Sequence, residues 1–309
     1  MTSPQPTDPT ELARQFEEHR PYLRRLAYST LGSLSDADDV IQEAWLRLQR
    51  QHEAGAVIDN LRAWLTTVTG RLALDQLCSA RARREQYVGE WLPEPEVTTS
   101  LDPADRVTQD ERVTTALLVV LESLSPAERT AFVLQDVFGM SGPEVAEVVG
   151  RTPAAVRQLA SRARKRVEEG TPRFPATSDE QQRVVSAFAV AWRSGDLSAL
   201  LGILDAEVKL TADGGGKVPA TRRPISGAEL VAKLLMGWYH APSARGAWGR
   251  HVLVNGEPGL MVFDGKHTGI MSLTVDQGVI VGINVIRNPD KLHDLPADGE
   301  PDWYMDRID

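Results

Sequence analysis

The segment SGPEVAEVVGRTPAAVRQLASRARKR, residues 141–166, contains two helical patterns separated by a glycine. Ser141 followed by Glu144 is typical of a capping box, and Thr152-Pro153 is typical of a helix start. Gly150 supplies the turn between the two patterns. Valine and alanine recur on one face of each pattern at helical spacing. The segment therefore predicts a helix-turn-helix.

The second helix of this pair is strongly basic and contains no carboxylate between residues 151 and 166. Its cations are Arg151, Arg157, Arg162, Arg164, Lys165 and Arg166. Because like charges at this spacing repel each other, an anionic partner is expected, and DNA phosphates are the natural one. Side chains near the start of the helix, including Gln158 and Ser161, would face base edges. The alternative is a solvated basic face balanced by Glu168 and Glu169.

Composition bounds the remaining possibilities. The chain has 309 residues, of which 42% are hydrophobic and 25% charged, and its net charge is −9. This charge argues against a protein that coats nucleic acid over its whole surface, but it allows a local basic face. The single Cys78 cannot form an intramolecular disulfide or a cysteine-based zinc site. The polar N-terminus and the lack of a long apolar run predict a cytoplasmic protein without membrane contact.

Changes in pattern along the chain predict five segments. They are a helical block over 11–86, a proline-containing linker over 87–109, a second helical block over 110–170, a mixed helix and strand domain over 178–293, and an acidic, loose tail over 294–309. The mixed segment predicts an α+β domain in which a curved sheet wraps on helices.

The first helical block carries two charge patches. Asp36, Asp38, Asp39 and Glu43 follow Ser35, the predicted N-cap of a helix. These acids either complement the helix dipole or form a docking surface for a basic protein partner. Arg81, Arg83 and Arg84 form a basic cluster at the other end of the block, which indicates a second nucleic-acid contact.

Three longer segments resemble a known family. DADDVIQEAWLRL (36–48) and LRAWLTTVTGRLALDQL (61–77) resemble the second conserved region of bacterial extracytoplasmic-function (ECF) sigma factors. LSPAERTAFVLQDVFGMSGPEVAEVVGRTPAAVRQLASRARKRV (124–167) resembles their fourth region. The shorter motifs WLPEP (91–95), DGGGK (213–217) and NPDKL (288–292) resemble the sigma-J-like subgroup, which carries an extra C-terminal SnoaL-like domain.

This resemblance implies a multidomain fold with two all-α sigma domains, the second a helix-turn-helix, followed by an α+β SnoaL-like cone of the ketosteroid-isomerase type. It implies a factor that binds core RNA polymerase through the β′ clamp helices and the β flap. The factor would direct transcription initiation at promoters with minus-thirty-five and minus-ten elements. The C-terminal domain is implied to modulate this activity in cis.

The resemblance also implies roles for individual residues. Those implied for the minus-thirty-five element are Arg157, Gln158, Ser161, Arg162, Arg164 and Lys165. Those implied for the minus-ten element are Asn60, Arg62, Arg71, Arg81 and Arg84. Those implied for polymerase binding are Asp38, Asp39, Gln42 and Glu43. Those implied for regulatory contacts are Trp91, Pro93, Pro95, Asp213, Lys217, Asn288, Asp290 and Lys291.

Two other functions stay open at this point: a SnoaL-like enzyme or small-ligand sensor fused to a DNA-binding domain, and a one-component repressor. An enzyme would need a base, and the candidates are Asp213, His251, Asp264 and His267. Asp213 followed by three glycines and Lys217 is more typical of a turn with a local ion pair. The sequence identifies no catalytic base beside an oxyanion donor, so no catalytic residue, metal or cofactor is expected. A small-molecule ligand in the C-terminal domain stays an open alternative.

Overall fold

The computed structural model describes residues 9–84, 87–99, 113–172, 174, 176–241, 246–293, 295–296 and 300–305. The chain divides into two compact units. The first unit comprises Met1–Glu85 and Val120–Glu169, and the second comprises Gln86–Val119 and Gly170–Asp309. Within the described ranges, no helix is both long and apolar enough to cross a membrane.

The described part of the first unit is helical. Its helices are α1 (Pro9–Leu31), α2 (Leu34–Glu53), α3 (Leu61–Arg84), the end of α4 (Thr115–Glu122), α5 (Pro126–Phe132), α6 (Gly142–Val149) and α7 (Pro153–Gly170). A π-helical turn, Val133–Val137, extends α5. The predicted N-cap of α2 is wrong by two positions, because Ser33, not Ser35, accepts a hydrogen bond from the N–H of Asp36.

The helix-turn-helix forms as predicted, because its local signals agree. The predicted capping box of Ser141 with Glu144 is present, and a second one joins Ser125 to Glu128 at the start of α5. Gly150 ends α6 in the left-handed conformation, with φ at 66°. The core beneath consists of buried aliphatic side chains, including Leu26, Ala131, Leu134, Val145, Val149 and Val156.

The second unit is an α+β domain. Its helices are the start of α4, α8 (Ser178–Arg193), α9 (Leu197–Ile203) and α10 (Ala228–Tyr239). Its strands are β1 (Val97–Thr98), β2 (Leu204–Asp213), β3 (Ile225–Ser226), β4 (Trp248–Val254), β5 (Glu257–Phe263), β6 (Thr268–Asp276), β7 (Val279–Ile286) and β8 (Trp303–Tyr304). A 3-10 turn, Pro289–Lys291, follows β7.

One sheet organises this unit. The strand order is β1-β4-β5-β6-β7-β2-β3, and β8 also pairs with β4. Neighbours are antiparallel except β2 and β7, which run parallel, with Asp213 opposite Ile286. The core contains Phe188 and Trp192 of α8 and Leu235 of α10. The Trp192 indole N–H donates to the Leu235 carbonyl at 3.0 Å, which fixes the two helices to each other.

Two segments predicted to be independent of this domain belong to it. The described part of the predicted linker contributes β1, whose Val97 lies opposite Val254; residues 100–109 lie outside the described residues. The prediction of a loose tail is wrong for 300–305, because Trp303 is 5% exposed and pairs with Gly249. A Cβ at Gly249 would lie 2.0 Å from the Trp303 ring, so the glycine makes room for the indole. Residues 294, 297–299 and 306–309 lie outside the described residues.

Candidate functional sites

The basic helix α7 presents its predicted base-reading residues to solvent. Val156, Ala160 and Ala163 are buried on one face. On the opposite side, a shallow depression is lined by Ala154, Arg157, Gln158, Ser161 and Arg162. The structure therefore brings together four of the six residues predicted for the minus-thirty-five element on one open face of α7.

The later cations of α7 are partly neutralised within the unit. Arg162 Nε donates to Glu128 Oε1 at 2.7 Å, although 61% of the Arg162 side chain is exposed. Arg164 Nε donates to Asp136 Oδ1 at 2.5 Å. Two carboxylates distant in sequence thus balance part of the positive charge for which the sequence predicts an anionic partner. Within the described ranges, no carboxylate lies within salt-bridge distance of Arg157.

The carboxylate beside Arg162 is also the capping residue of α5. Burial acts to raise the pKa of Glu128, but hydrogen bonds from Ser125 and Arg162 outweigh it and hold the pKa below its usual value. The hydrogen bond to Asp136 raises the pKa of Arg164. Both ion pairs are therefore formed at neutral pH. A phosphate that binds Arg162 competes with Glu128 for the charge of the guanidinium, although only Nε is bonded to Glu128.

The acidic residues of α2 line a groove against α1. Asp38, Asp39 and Gln42 surround a cavity of about 320 Å³ together with Phe16 and Trp45. The two aromatic rings lie 5.0 Å apart and form an apolar floor. The groove therefore combines apolar area with a negative rim.

The fourth predicted polymerase residue lies outside this groove lining. Glu43 Oε1 instead accepts a hydrogen bond from Arg47 Nε at 3.1 Å. Asp38, within the groove, pairs with Arg24 at 2.9 Å. The groove is thus acidic but already partly paired.

The residues predicted for the minus-ten element have separate partners. Asn60 caps α3 by accepting the Ala63 N–H at 3.0 Å. The Arg62 guanidinium lies 4.5 Å above the Tyr22 ring. Arg71 donates to the carbonyl and carboxylate of Glu147, at 3.2 and 3.0 Å. In the described part of the chain, these three side chains contact different partners rather than each other, and the side chains of Arg81 and Arg84 lie outside the described residues.

Three of the eight predicted regulatory residues, Asp213, Asn288 and Lys291, meet in one largely buried cluster of the second unit. We call the hydrogen-bonded group Tyr87, Leu92, Asp213, Asn288 and Lys291 the clasp. Asp213 is fully buried. Its carboxylate accepts hydrogen bonds from the Tyr87 hydroxyl at 2.5 Å, the Leu92 N–H at 3.0 Å and Lys291 Nζ at 2.7 Å. The Asn288 amide donates to the Tyr87 hydroxyl at 2.8 Å.

Lys291 ties the clasp to the predicted WLPEP motif. Its Nζ donates to the Leu92 carbonyl at 2.5 Å and lies 3.2 Å from the centroid of the Trp91 ring. Pro93 and Pro95, which follow Trp91 in the sequence, are also buried. A buried ammonium paired with a carboxylate, a carbonyl and an aromatic face is satisfied on every side. Residues 91–95 are therefore held on this unit by a charge, not only by apolar contact.

The expected ion pair within DGGGK is wrong. Asp213 pairs with Lys291, while Lys217 Nζ pairs with Asp290 at 2.6 Å on the surface. The three glycines between Asp213 and Lys217 explain the geometry. A Cβ at position 214 would lie 2.1 Å from the Val218 carbonyl oxygen, at 215 it would lie 2.4 Å from Asn288, and at 216 it would lie 3.1 Å from Val88. The loop is glycine-only because other chain segments approach it closely.

Two residues of the second unit that make long-range hydrogen bonds are absent from the sequence predictions. Tyr87 is one; burial and then the hydrogen bond to Asp213 raise its pKa, so the phenol keeps its proton. Asn255 is the other. Its N–H donates to the Glu96 carbonyl at 2.8 Å and its Oδ1 accepts from Thr115 at 3.3 Å. An Asn-Gly dipeptide between strands signals only a hairpin turn, so nothing local indicates these distant partners.

A pocket of about 530 Å³ lies in the second unit. Asp264 and His267, two of the four candidate bases, line it. Burial acts to raise the pKa of Asp264, but the N–H groups of His267 and Lys266 and the charge of Arg287 outweigh it, so the pKa lies below its usual value. A carboxylate with a lowered pKa is a poor proton acceptor at neutral pH. The third candidate, His251, instead contacts Asp302 at 2.8 Å.

Comparisons with known proteins agree with this architecture. Residues 15–83 match the model for Sigma-70 region 2, and residues 114–167 match the model for Sigma-70, region 4. The chain is 40% identical over 295 residues to the ECF RNA polymerase sigma factor SigJ of Mycobacterium tuberculosis, covering 91% of this chain and 93% of SigJ. It is 36% identical over 296 residues to the probable ECF RNA polymerase sigma factor SigI of the same species, covering 94% and 97%.

A solved structure extends the likeness over both units. The crystal structure of Mycobacterium tuberculosis SigJ matches with a TM-score of 0.75 and 38% identity, covering 93% of this chain and all of that one. Helical DNA-binding and partner-binding domains followed by an α+β domain define a transcription initiation factor with an appended domain. The chain belongs to the ECF RNA polymerase sigma factors. The predicted fold class and family are confirmed, and for the chain as a whole they favour a sigma factor over the one-component repressor and the DNA-binding enzyme.

Proposed function

We propose that this sigma factor is controlled in cis by its second unit through the clasp. The observation that carries this proposal is the buried Asp213–Lys291 ion pair, which holds Leu92 by both its N–H and its carbonyl. Leu92 belongs to the predicted linker between the sigma segments 11–86 and 110–170. Holding this linker restricts how the two sigma segments can be arranged on a promoter, and releasing it removes that restriction.

Promoter reading is assigned to α7. Arg157, Gln158 and Ser161 supply the base contacts, because their side chains line an open face and arginine and glutamine bind base edges bidentately. Arg162, Arg164 and Lys165 serve phosphates, which position the helix without reading sequence. The ion pairs of Arg162 and Arg164 then exchange a carboxylate for a phosphate. This exchange makes their net contribution smaller than that of Arg157.

Polymerase binding is assigned to the acidic groove of α1 and α2. Asp38, Asp39 and Gln42 would contact the β′ clamp helices, with Glu43 at the edge, while the β flap provides a further contact on the polymerase. The apolar floor formed by Phe16 and Trp45 favours a helical partner that inserts an apolar side chain between basic ones. Electrostatic attraction at such a rim mainly raises the association rate.

The minus-ten element is assigned to Asn60, Arg62, Arg71, Arg81 and Arg84. Arg71 is bound to Glu147 of the helix-turn-helix in the described structure. Contact with DNA at this position therefore requires that the Arg71–Glu147 pair opens. This ion pair is exposed and worth at most about 1 kcal/mol, so a polymerase–promoter complex can break it.

Run-off transcription with core polymerase tests these assignments. Arg157→Ala should lower promoter-specific transcript, because losing one bidentate base contact removes about 1–3 kcal/mol. Arg183→Ala, an exposed arginine on α8, is the matched control and should transcribe like the parent. Equal activity of the two variants would contradict the assignment of α7.

The clasp needs a different variant pair. Deleting residues 288–309 would remove Trp303 from the core together with Lys291, so loss of folding and loss of control could not be separated. Tyr87→Phe instead deletes one hydroxyl that bonds Asp213 and Asn288. Tyr304→Phe deletes an exposed hydroxyl and serves as control. Tyr87→Phe should change transcript yield from the same promoter, whereas identical yields in both variants would refute control through the clasp.

A further inference from the structure

We infer that the pocket of the second unit binds a small, largely apolar molecule that carries one carboxylate. Its volume of about 530 Å³ lies within the range of about 300–1,000 Å³ usual for small-molecule sites. Most of the wall is apolar, and includes Trp192, Leu234, Trp238, Val262, Phe263 and Met271. An aromatic or alkyl body fits this lining.

The polar end of the pocket favours an anion. Lys217, Lys266 and Arg287 line it, and Asp264 is the carboxylate among the lining residues. Lys217 is balanced by Asp290 and Arg287 by Asp264, which leaves the charge of Lys266 in excess. An incoming carboxylate would neutralise this excess, whereas a cationic ligand would increase it.

A buried hydroxyl supplies a second reason for a ligand. Thr221 lines the pocket, and its Oγ1 is buried without a hydrogen-bond partner among the described residues. Buried polar groups are normally paired, so an unpaired one in a pocket wall needs an explanation. Oγ1 itself has no contact with solvent, so a carboxylate oxygen of the ligand would accept this hydrogen bond only after the Thr221 side chain rotates toward the pocket. After that rotation, the hydroxyl and the ammonium of Lys266 would both bind the ligand carboxylate.

The pocket wall continues directly into the clasp. Arg287 lines the pocket with its side chain, and its backbone N–H donates to the Asp213 carbonyl at 2.7 Å. The next residue, Asn288, donates its N–H to the same carbonyl at 3.0 Å. Lys217, on the other side, is bonded to Asp290. A ligand that holds Arg287 and Lys217 in place thus stabilises the clasp, and this coupling rests on the proposed control function.

Binding itself is tested with 2-naphthoate and its uncharged counterpart 2-naphthamide, titrated into the full chain by ligand-detected NMR. The expected Kd for 2-naphthoate is about 1 mM or below. Val262→Trp fills the apolar wall and should weaken both probes by about tenfold or more. Lys266→Glu reverses an exposed charge and should weaken 2-naphthoate by about threefold or more while leaving 2-naphthamide unchanged. Thermal melts of both variants identify any loss of folding.

Two results would overturn the site. One is the absence of saturable 2-naphthoate binding, and the other is equal 2-naphthoate affinity in the parent, Val262→Trp and Lys266→Glu. Because Lys266 is exposed, its variant keeps the test valid even where Val262→Trp fails to fold.

Coupling is tested by the same titration in clasp variants. Linkage requires that a clasp stabilised by the ligand also stabilises ligand binding. Tyr87→Phe should therefore weaken 2-naphthoate by about fivefold or more, and Tyr304→Phe should not. Equal Kd values in the two variants refute the coupling. The binding measurement contains no polymerase, so this failure is distinct from a failure of the proposed control of transcription.

Discussion

Asp213→Asn is the most informative perturbation of the second unit. The substitution keeps the shape of the side chain but removes the charge that Lys291 faces. The Leu92 N–H and Lys291 Nζ are both donors to the same carboxylate oxygen. In the variant they face either an amide N–H₂, which cannot accept a hydrogen bond, or a neutral amide oxygen, which is a weaker acceptor. Lys291 is 6% exposed, so its ammonium stays buried but loses the carboxylate charge that it faces. Breaking a buried pair in this way costs about 3–5 kcal/mol.

That loss corresponds to a fall in Tm of about 6–20 °C for a unit of 150–250 residues. Differential scanning calorimetry of the full chain measures it, and intrinsic fluorescence assigns the transition, because five of the seven tryptophans lie in the second unit. The double variant Asp213→Asn with Lys291→Met is the control. It removes both charges and should recover part of the stability. A single variant within 2 °C of the parent, or a double variant no better than the single, would refute the role given to the ion pair.

Three further predictions concern the same unit. Gly215→Ala should lower the Tm of the second unit, since the position has φ at 62° and the new Cβ would meet Asn288. Thermal melting measures the change, and Gly237→Ala, where the new Cβ meets open space, is the control. Burial raises the pKa of Glu257 to about 7, so the folded unit keeps a proton that the unfolded chain loses above its ordinary pKa. The contribution of Glu257 to stability is therefore greatest below that ordinary value and falls by on the order of 3 kcal/mol as pH rises to about 7. Urea unfolding across this range should show that Glu257→Gln lacks this part of the pH dependence. Trp303→Ala should cost about 3–5 kcal/mol in chemical denaturation, and a loss below about 1 kcal/mol would mean that the last described strand is not part of the core.

Sequence reasoning performs best where a signal and its partner lie within a few residues. The capping boxes at Ser125 and Ser141 and the left-handed Gly150 satisfy backbone groups of their own helix, so the pattern and the structure must agree. The α+β character of the second unit is predicted for a related reason. Alternating or continuous apolar runs between glycine turns form strands in any sheet that buries them, so they can be predicted without knowing the strand order.

The partners of charged side chains are predicted less well from the sequence. The basic run of α7 is read correctly, yet Glu128 and Asp136, which pair with Arg162 and Arg164, are not foreseen. The motifs around Asp213 are singled out correctly, yet its ion pair is predicted with Lys217, four residues away. The true partner is 78 residues distant. Long-range pairing depends on which strands lie side by side, and periodicity carries no information on that.

The sequence by itself determined the family, the two helical segments with their basic and acidic faces, and the α+β character of the remainder. These properties are fixed by local hydrogen bonding and by which residues must leave water. Only the tertiary structure decided that Leu92 is held between Asp213 and Lys291, that Trp303 completes the core, and that the pocket wall runs into the clasp. The pairing of distant strands is the physical reason. The parallel pairing of β2 with β7 places the end of one strand beside the end of another more than 70 residues later along the chain, and the pairing of β8 with β4 brings Trp303 to the core.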